Sequence, residues 1–392
     1  MKLLHILHDK RTLSISLILF LITLVVYLFS NRGEGRYYNY FVLLADAILH
    51  GRLYLSIHPS WLSELIKLGN KYYVPYPPMP AFLLLPFVLI FGSSFPQPLL
   101  SIFLGALNVS LCFIVISKLF KSERIGILTS ALYAFGTIQW YHAEVGSAWY
   151  IAQIIAMFFI WLSLLELITK KRLFIIGLFI GFAFLSRIPT IFVFIFPLIY
   201  LKKDFHSINN LLCYFFGISI GVILYGLYNL YSFGSFFNSG YWLIPNVLNE
   251  PWYRYGIVSI RYIPIHLLEL FTSFPKFSSN FPFVIPSLNV LSIWFTTPAF
   301  ILALRANYKN PLEKTSAVSS LFILLIILMH GSNGFAQFGY RFIMDLYPFL
   351  LILVASGIKN TNELLVKILI TLSILVNLWG VLMISFFRIW TI

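Results

Sequence analysis

One acidic residue lies where it could act as a base at a membrane surface. Glu34 follows the apolar run 12–30 within four residues and stands between Gly33 and Gly35. Glycine lets the backbone come close to a ligand, and a carboxylate at the boundary between water and lipid could accept the proton from an attacking hydroxyl. The alternative is a solvated acid that caps a helix beginning near Arg36. Position alone leaves both interpretations open.

A second acid lies in a short turn between two apolar runs. Glu144 belongs to the stretch 141–147, Tyr-His-Ala-Glu-Val-Gly-Ser, together with His142. It could position an acceptor molecule or pair with a basic residue, or it could cap the helix that begins near Ala148. An acid beside a membrane span is costly to desolvate unless it has a partner or a function. Asp46 and His142 are therefore further substrate-binding candidates. The acids assigned to the outer side by the topology derived below are Glu34, Asp46, Glu64, Glu144, Glu250, Glu269 and Asp345.

Two arginines could bind a phosphate at the level of the lipid headgroups. Arg187 lies at the tip of a short hairpin of apolar runs, and Arg341 lies in the stretch 337–345, Gln-Phe-Gly-Tyr-Arg-Phe-Ile-Met-Asp. A planar guanidinium matches the geometry of phosphate oxygens. Arg341 could also pair with Asp345, four residues on and on the same helical face. The ion pair and the phosphate contact are compatible, since Asp345 could orient the Arg341 guanidinium while the other edge of the guanidinium meets the ligand. Tyr340 is a neighbouring candidate.

A basic and aromatic group precedes a proline-rich segment. In Gly69-Asn70-Lys71-Tyr72-Tyr73, the side chains of Lys71, Tyr72 and Tyr73 could contact phosphate and sugar. The alternative is a plain interfacial anchor, in which the apolar part of each side chain lies in lipid and its polar tip in water.

Several motifs with known chemistry do not occur. The chain has no GxxxxGK[ST], which argues against a phosphate-binding loop for ATP. It has no Asp-x-Asp to hold a metal-bound nucleotide sugar and no HExxH, and its histidines lack metal-ligand spacing. We therefore expect neither a cofactor nor a metal.

Composition indicates that these residues are positioned by membrane helices. Of 392 residues, 60% are hydrophobic and only 10% are charged, and the mean hydropathy is +0.89. Apolar runs approach or exceed the roughly 18–20 residues that span hydrocarbon as a helix, and they are continuous rather than alternating as in a barrel. The net charge of +14 is carried by small clusters between these runs, which is typical of cytoplasmic loops and argues against nucleic acid. Cys112 and Cys213 lie within apolar runs, which argues against a disulfide framework. The chain is predicted to be an all-α polytopic membrane protein.

The topology depends on the segment 78–92. It is apolar but short, and Pro80 and Pro86 interrupt it, so it suits a helix lying in the interface. If it does not span, the basic clusters at 118–124, 170–172 and 202–203 all fall on the cytoplasmic side, as the charge rule favours. About eleven spans follow, with the N-terminus in the cytoplasm. They cover 12–30, 97–117, 125–141, 148–168, 173–186, 188–201, 209–230, 288–304, 315–330, 344–358 and 367–386.

Two long outer loops, 31–96 and 231–287, are rich in aromatic residues and proline, as expected at the headgroup level. The apolar spacing within 36–55 predicts an amphipathic helix beside the membrane. The opening apolar run is not followed by a small-residue cleavage site, so we interpret it as an uncleaved first span. No linker separates soluble parts, and residues 1–392 are expected to form a single transmembrane domain.

The order of these motifs resembles the C-class (GT-C) glycosyltransferases that use polyprenyl-phosphate sugars, which include the protein O-mannosyltransferases and the lipid A aminoarabinose transferase. The shared features are an acid directly after the first span (Glu34), a juxtamembrane helix ending at 50–53, and a Tyr-rich approach to Pro77-Pro78. An acid in the second outer turn and a Gly-rich span that ends at Arg187 follow. The resemblance covers about the first 200 residues, and the acid is Glu where many branches have Asp.

The resemblance implies a GT-C-like bundle and a metal-independent transfer on the extracytoplasmic side of the cell membrane. A polyprenyl-phosphate sugar would donate to an acceptor hydroxyl of an unknown glycan, lipid or protein. Glu34 would deprotonate this hydroxyl as it attacks the anomeric carbon in line and inverts it. Arg341, Arg187 and Lys71 would stabilise the leaving phosphate.

Two other functions remain open. A transporter or flippase of a polyprenyl-linked or other anionic lipid would use the same arginines without a base, although no internal repeat of the kind common in transporters is evident. A polysaccharide polymerase or ligase of different fold would not explain the acid after the first span.

Overall fold

The computed structural model describes residues 10–33, 38–334 and 336–391, and helices dominate this part of the chain. The α-helices are α1 Lys10–Ser30, α2 Tyr40–Leu49, α3 Met79–Phe91, α4 Gln97–Phe120, α5 Glu123–Phe135, α6 Gln139–Val145, α7 Ala148–Thr169, α8 Leu173–Ser186, α9 Ile195–Tyr200, α10 Ile208–Phe233, α11 Ile263–Thr272, α12 Ile293–Thr296, α13 Pro311–Ile327, α14 Tyr347–Lys359 and α15 Glu363–Val381.

Short helical turns and two small hairpins complete the fold. The longer 3₁₀ segments are Ile188–Phe194, Pro298–Arg305 and Arg341–Leu346. Shorter ones cover Gly92–Ser94, Asp204–His206, Gly240–Leu243, Val247–Asn249, Pro251–Tyr253 and Ile260–Tyr262, and a π-helical turn covers Leu382–Phe386. Strands β1 Ile66–Leu68 and β2 Lys71–Tyr73 pair antiparallel, with Ile66 opposite Tyr73, and β3 Lys276–Phe277 pairs antiparallel with β4 Val284–Ile285.

Six helical segments of the described chain are long and apolar enough to cross a membrane. They are Lys10–Ser30, Gln97–Phe120, Ala148–Thr169, Ile208–Phe233, Arg341–Lys359 and Glu363–Phe386. Shorter apolar helices, including Leu173–Ser186 and Ile188–Tyr200, lie between them. The predicted all-α, polytopic membrane architecture is confirmed, although several of the eleven predicted spans are shorter helices by this measure.

The predicted span 288–304 is not one helix. It consists of an extended stretch, α12 and the 3₁₀ segment Pro298–Arg305. The break falls at Thr297, whose φ of −142° and ψ of 74° are non-helical. Contact with the proline ring disfavours the helical region for the residue before proline, and Pro298 has no amide to continue the hydrogen-bond ladder. Composition alone gave this segment the appearance of a span.

Both predicted helices of the first long loop are present. The segment 36–55 contains α2, and the segment 78–92 contains α3. They pack together beside Tyr76, whose ring meets that of Tyr40 edge to face at a centroid distance of 5.5 Å. The loop between them carries the hairpin β1–β2 and Glu64 over the end of the helical bundle.

Helices α8 and α10 cross at a glycine contact that fixes the position of Arg187. Gly177 and Gly181 of α8 lie directly against Gly217 and Gly221 of α10, and a methyl group added to Gly221 would overlap the carbonyl oxygen of Gly181. Small residues let the backbones of membrane helices approach closely. Because α8 ends at Ser186, this contact also sets the position of the next residue, Arg187.

The last residues of the chain are tied to the second long loop. After α15 and its π-helical turn, the amide of Leu288 donates to the carbonyl of Thr391 (2.7 Å), and the amide of Thr391 donates to that of Pro286 (2.9 Å). Arg388, which lies between the π-helical turn and Thr391, has a φ of +55°, a conformation that is uncommon for a residue with a side chain. This pairing places the end of the chain beside the end of α1.

Candidate functional site

A cavity of about 920 Å³ lies where the end of α1, the start of α7 and the last residues of the chain meet. This volume suits a small-molecule site. Its described lining residues are Arg32, Gly33, Tyr38, Trp61, Tyr141, Val145, Ser147, Trp149, Tyr150, Leu288, Ala336, Ile384, Arg388 and Trp390. Six are aromatic, two are arginine and none of those described is acidic. Such a wall offers flat faces and donors to a sugar phosphate.

A carboxylate and a guanidinium lie next to the aromatic wall of this cavity. The indole nitrogen of Trp149 donates to Oε2 of Glu64 (3.2 Å) and to the hydroxyl of Tyr76 (2.8 Å). The guanidinium carbon of Arg341 lies 5.5 Å from the centroid of the Trp149 ring and 6.0 Å from that of Tyr150. The amide of Gln153 donates to the Arg341 carbonyl (2.8 Å) and holds this backbone in place.

The structure pairs Asp345 with Arg187. Nε of Arg187 donates to Oδ1 and Oδ2 of Asp345, each at 2.7 Å, although the two residues are 158 positions apart. Asp345 is fully buried and the Arg187 side chain is 17% exposed. A buried charge of this kind is tolerated because its partner is present.

Arg187 and Arg341, which the sequence predicted to converge, border the same phenyl ring. Their guanidinium carbons lie 4.8 and 5.2 Å from the ring centroid of Phe342, so they are within 10.0 Å of each other. The two cations come from distant parts of the chain and meet at Phe342, shortly before the start of α14, and Arg341 also lies near Trp149 and Tyr150. Their role in substrate binding stays a prediction.

Glu144 and His142 are buried behind the cavity wall. The hydroxyl of Ser385 donates to Oε1 of Glu144 (2.5 Å), and the side-chain amide of Asn31 donates to the Glu144 carbonyl. These bonds join the end of α1, helix α6 and the end of the chain. The His142 ring lies 4.4 Å from that of Tyr150, and burial lowers the pKa of His142 well below its ordinary value, which keeps the ring neutral. Neither residue is among the described lining residues of the cavity. Both pack behind residues that do line it.

The structure places Lys71, Tyr72 and Tyr73 on the hairpin β1–β2, away from the described cavity lining. Nζ of Lys71 lies 4.4 Å from the ring centroid of Tyr54, and the ring of Tyr72 stacks on His58 at 4.9 Å. Tyr73 is 8% exposed. The role of these three residues in substrate binding stays a prediction.

Two further candidates also lie apart from the described lining. Asp46 of α2 has His50 as its ion-pair partner, with Nδ1 and Oδ2 3.9 Å apart. Tyr340 is 1% exposed, and its ring lies near those of His266 (6.3 Å) and Phe342 (6.0 Å). Tyr340 therefore packs beneath the arginine pair.

Glu34 lies in the segment 34–37, outside the described residues. The residues on either side of that segment, Gly33 and Tyr38, both line the cavity. The position of Glu34 in the chain is therefore consistent with the predicted role, which remains a prediction.

Sequence reasoning did not select five residues that the structure brings to this site: Arg32, Glu64, Ser147, Trp149 and Arg388. Glu64 was one of few acids in an outer loop, and Arg32 directly precedes the Gly-Glu-Gly stretch. These were usable signals. Ser147, Trp149 and Arg388 carried none, because only the tertiary contacts bring them to the cavity.

No group of three or more His, Cys, Asp or Glu side chains that could hold a metal ion is found in the described ranges. The described side chains that line the cavity include guanidinium, hydroxyl and indole donors, which can bind an anion.

Among the described acids beside the cavity, Glu64 has a pKa near neutrality. Burial raises the pKa of its carboxyl to about 7, and Arg341 and the Trp149 hydrogen bond oppose this rise. A carboxyl of this kind changes charge near neutral pH, where it can exchange a proton with a substrate or alter the field at Arg341.

Folding stability should therefore depend on Glu64 between about pH 4.5 and 7. Because the folded pKa is raised, the folded state binds the proton more tightly, so stability falls as pH rises through this window. We expect Glu64→Gln to remove part of this fall, about 1 kcal/mol after allowance for partial solvent exposure. Thermal unfolding in detergent at pH 5 and pH 8 measures this loss of stability in wild type and in Glu64→Gln. Glu250→Gln, which changes an exposed acid, is the control. Identical pH dependence of wild type and Glu64→Gln would contradict the assignment.

The fold has known counterparts. No protein-family model matches the chain, and no curated protein matches it. The crystal structure of ArnT from Cupriavidus metallidurans bound to undecaprenyl phosphate is similar, with a TM-score of 0.54 and 12% identity over 90% of this chain and 61% of that one. Its apo structure gives a TM-score of 0.51 and 14% identity over 88% and 60%. ArnT is the lipid A aminoarabinose transferase, so the fold resemblance predicted from the sequence is confirmed. The chain spans about three fifths of the ArnT length.

Proposed function

We propose that the chain is a membrane glycosyltransferase that moves a sugar from a polyprenyl-phosphate donor to an acceptor hydroxyl, with inversion, on the extracytoplasmic side. The observation that carries this proposal is the cavity at the end of α1, whose wall combines aromatic faces with arginines. Support comes from the fold, since the similar ArnT structure is bound to undecaprenyl phosphate. The site is basic and aromatic, as a sugar joined to a phosphate requires.

The proposed transfer is a single displacement at the anomeric carbon. Glu34 accepts the proton of the acceptor hydroxyl while its oxygen forms the new bond to the anomeric carbon. The bond between that carbon and the phosphate oxygen breaks at the same time, and the phosphate leaves with the electron pair. Attack from the side opposite the leaving group inverts the centre. Cations near the phosphate stabilise the charge that it gains.

The sidedness rests on the distribution of charge along the chain. The basic clusters at 118–124, 170–172 and 202–203 lie at the opposite ends of α4, α7 and α8–α9 from the cavity. Short loops rich in Lys and Arg favour the cytoplasm. The proposal therefore puts the N-terminus in the cytoplasm and the cavity outside.

The direct test is transfer by the purified protein. Mass spectrometry of glycans and lipids lost on deletion of the gene identifies the sugar to use. The purified protein is then given the matching polyprenyl-phosphate sugar, and release of polyprenyl phosphate is followed. Release that depends on an acceptor supports the proposal. Translocation of the lipid between leaflets without any release would favour the transporter hypothesis.

Replacing Arg341 should weaken use of the donor. We expect Arg341→Ala to raise the KM for the polyprenyl-phosphate sugar by about tenfold, because a charge-assisted contact near the phosphate is lost. Arg305→Ala, an exposed arginine at the other end of the molecule, is the control. A donor KM that stays at the wild-type value in Arg341→Ala would remove Arg341 from the site.

A further inference from the structure

The start of α7 has an unusual polar group at the cavity wall. Ser147 precedes α7 as its N-cap residue, yet its hydroxyl makes no capping hydrogen bond. The residue is 3% exposed, and its Oγ has no hydrogen-bond partner among the residues that the structure describes. Ser147 is one of the residues that line the cavity, so its hydroxyl lies beside a space that a ligand can enter. A buried hydroxyl without a partner is costly and usually has an explanation.

The backbone beside Ser147 offers further donors. The amides of Tyr150 and Ile151 bond to the Ser147 carbonyl, whereas the first amides of a helix, those of Ala148 and Trp149, have no acceptor within it. The 22 residues of α7 add a partial positive charge at this end. Free amides and a positive helix end together favour an anion.

Two arginines line the same cavity as Ser147. Arg32 lies just after α1, with its guanidinium carbon 3.9 Å from the ring centroid of Phe386. Arg388 follows on the same terminal segment, held in its left-handed conformation by the bonds between Phe387 and Leu382 and between Ile389 and Met383. Both arginines line the cavity.

We propose that the phosphate of the lipid donor binds at the start of α7, where the Ser147 hydroxyl, the first amides of the helix and the Arg32 guanidinium border one cavity. This inference rests on the proposed function and assigns the leaving-group site within it. Arg388 lines the same cavity, and the Arg341 guanidinium lies beside the rings of Trp149 and Tyr150.

The test compares two lipids that differ only in the phosphate. Full-length protein in phosphatidylcholine nanodiscs is titrated with undecaprenyl phosphate and with undecaprenol, and binding is followed by the fluorescence of the tryptophans in the wall. We expect Ser147→Ala and Arg32→Gln each to weaken undecaprenyl phosphate binding about tenfold and to leave undecaprenol binding unchanged. Ser147→Asp should remove the preference for the phosphate altogether by charge repulsion.

Matched controls separate a local effect from a general one. Ser319 of α13 is also buried and without a partner, but lies outside the cavity lining, so Ser319→Ala should bind both lipids as wild type does. Arg305→Gln is the control for Arg32→Gln. If Ser147→Ala weakens the binding of both lipids equally, or weakens the binding of neither, the proposed phosphate site is wrong.

Two further arms identify the source of the phosphate and separate this inference from the proposed function. If the preference for undecaprenyl phosphate over undecaprenol disappears in phosphatidylglycerol nanodiscs, the site binds any anionic headgroup and the donor assignment fails. If wild type transfers sugar but Ser147→Ala keeps wild-type binding, the phosphate site is wrong and the function stands. If the binding pattern holds but no sugar is transferred, the site is right and the function is wrong.

Discussion

Glu34→Gln is expected to lower kcat for sugar transfer by about 10²–10⁴-fold while binding of the lipid donor changes little. Glutamine keeps the size and hydrogen-bonding reach of the side chain but cannot accept the proton from the acceptor hydroxyl. Loss of a general base costs a factor in this range. Single-turnover release of polyprenyl phosphate measures the chemical step, and titration with undecaprenyl phosphate measures binding.

Other carboxylates serve as comparators for Glu34→Gln. Glu250→Gln, exposed in the second long loop, should retain full activity. Glu64→Gln tests the acid that touches Trp149, and Glu144→Gln tests the acid that Ser385 holds. If Glu34→Gln transfers sugar at the wild-type rate and Glu64→Gln does not, the base is Glu64 and the role given to Glu34 is wrong.

Breaking the buried ion pair between Arg187 and Asp345 should strongly destabilise the protein. We expect Asp345→Asn to cost about 3–5 kcal/mol of folding stability, because it leaves the Arg187 charge without its partner inside the molecule. Arg187→Met should cost a similar amount, since it leaves the buried Asp345 carboxylate alone. Thermal unfolding in detergent, followed by size-exclusion chromatography, measures both.

The double variant decides whether the pair itself causes this loss. Arg187→Met combined with Asp345→Leu removes both charges, and an apolar pair can replace a buried ion pair at little cost. We expect the double variant to be more stable than either single one. If the stability loss of the double variant equals the sum of the losses of the two single variants, the two residues do not act as a pair. Lys367→Met, in an exposed ion pair with Glu363, is the control and should change stability by less than about 1 kcal/mol.

The ion pair also links stability to the site. Arg187 and Arg341 border Phe342 from nearby positions, so a change in Arg187 should disturb the approach of Arg341 to Trp149. A purified double variant that is stable but uses the donor poorly would show that Arg187 serves the substrate as well as the fold.

Local sequence signals predicted most helices correctly. The predicted boundaries of the hairpin helix, 173–186, are those of α8, because basic residues precede the apolar run and Arg187 ends it. The short helices of the first loop were also found, since apolar spacing and prolines are local features. The break within the segment 288–304 was not predicted, because hydropathy does not register the interruption that Pro298 imposes on Thr297.

The sequence by itself determined that this chain lies in a membrane, since its apolar runs cannot be hidden from water otherwise, and it indicated Arg187 and Arg341 as cations of the outer side. The tertiary structure decided which groups meet. Glu64 and Trp149 are 85 residues apart, Arg187 and Asp345 are 158 apart, and Glu144 and Ser385 are 241 apart. No periodicity encodes such contacts, because they arise only when helices from distant parts of the chain pack side by side.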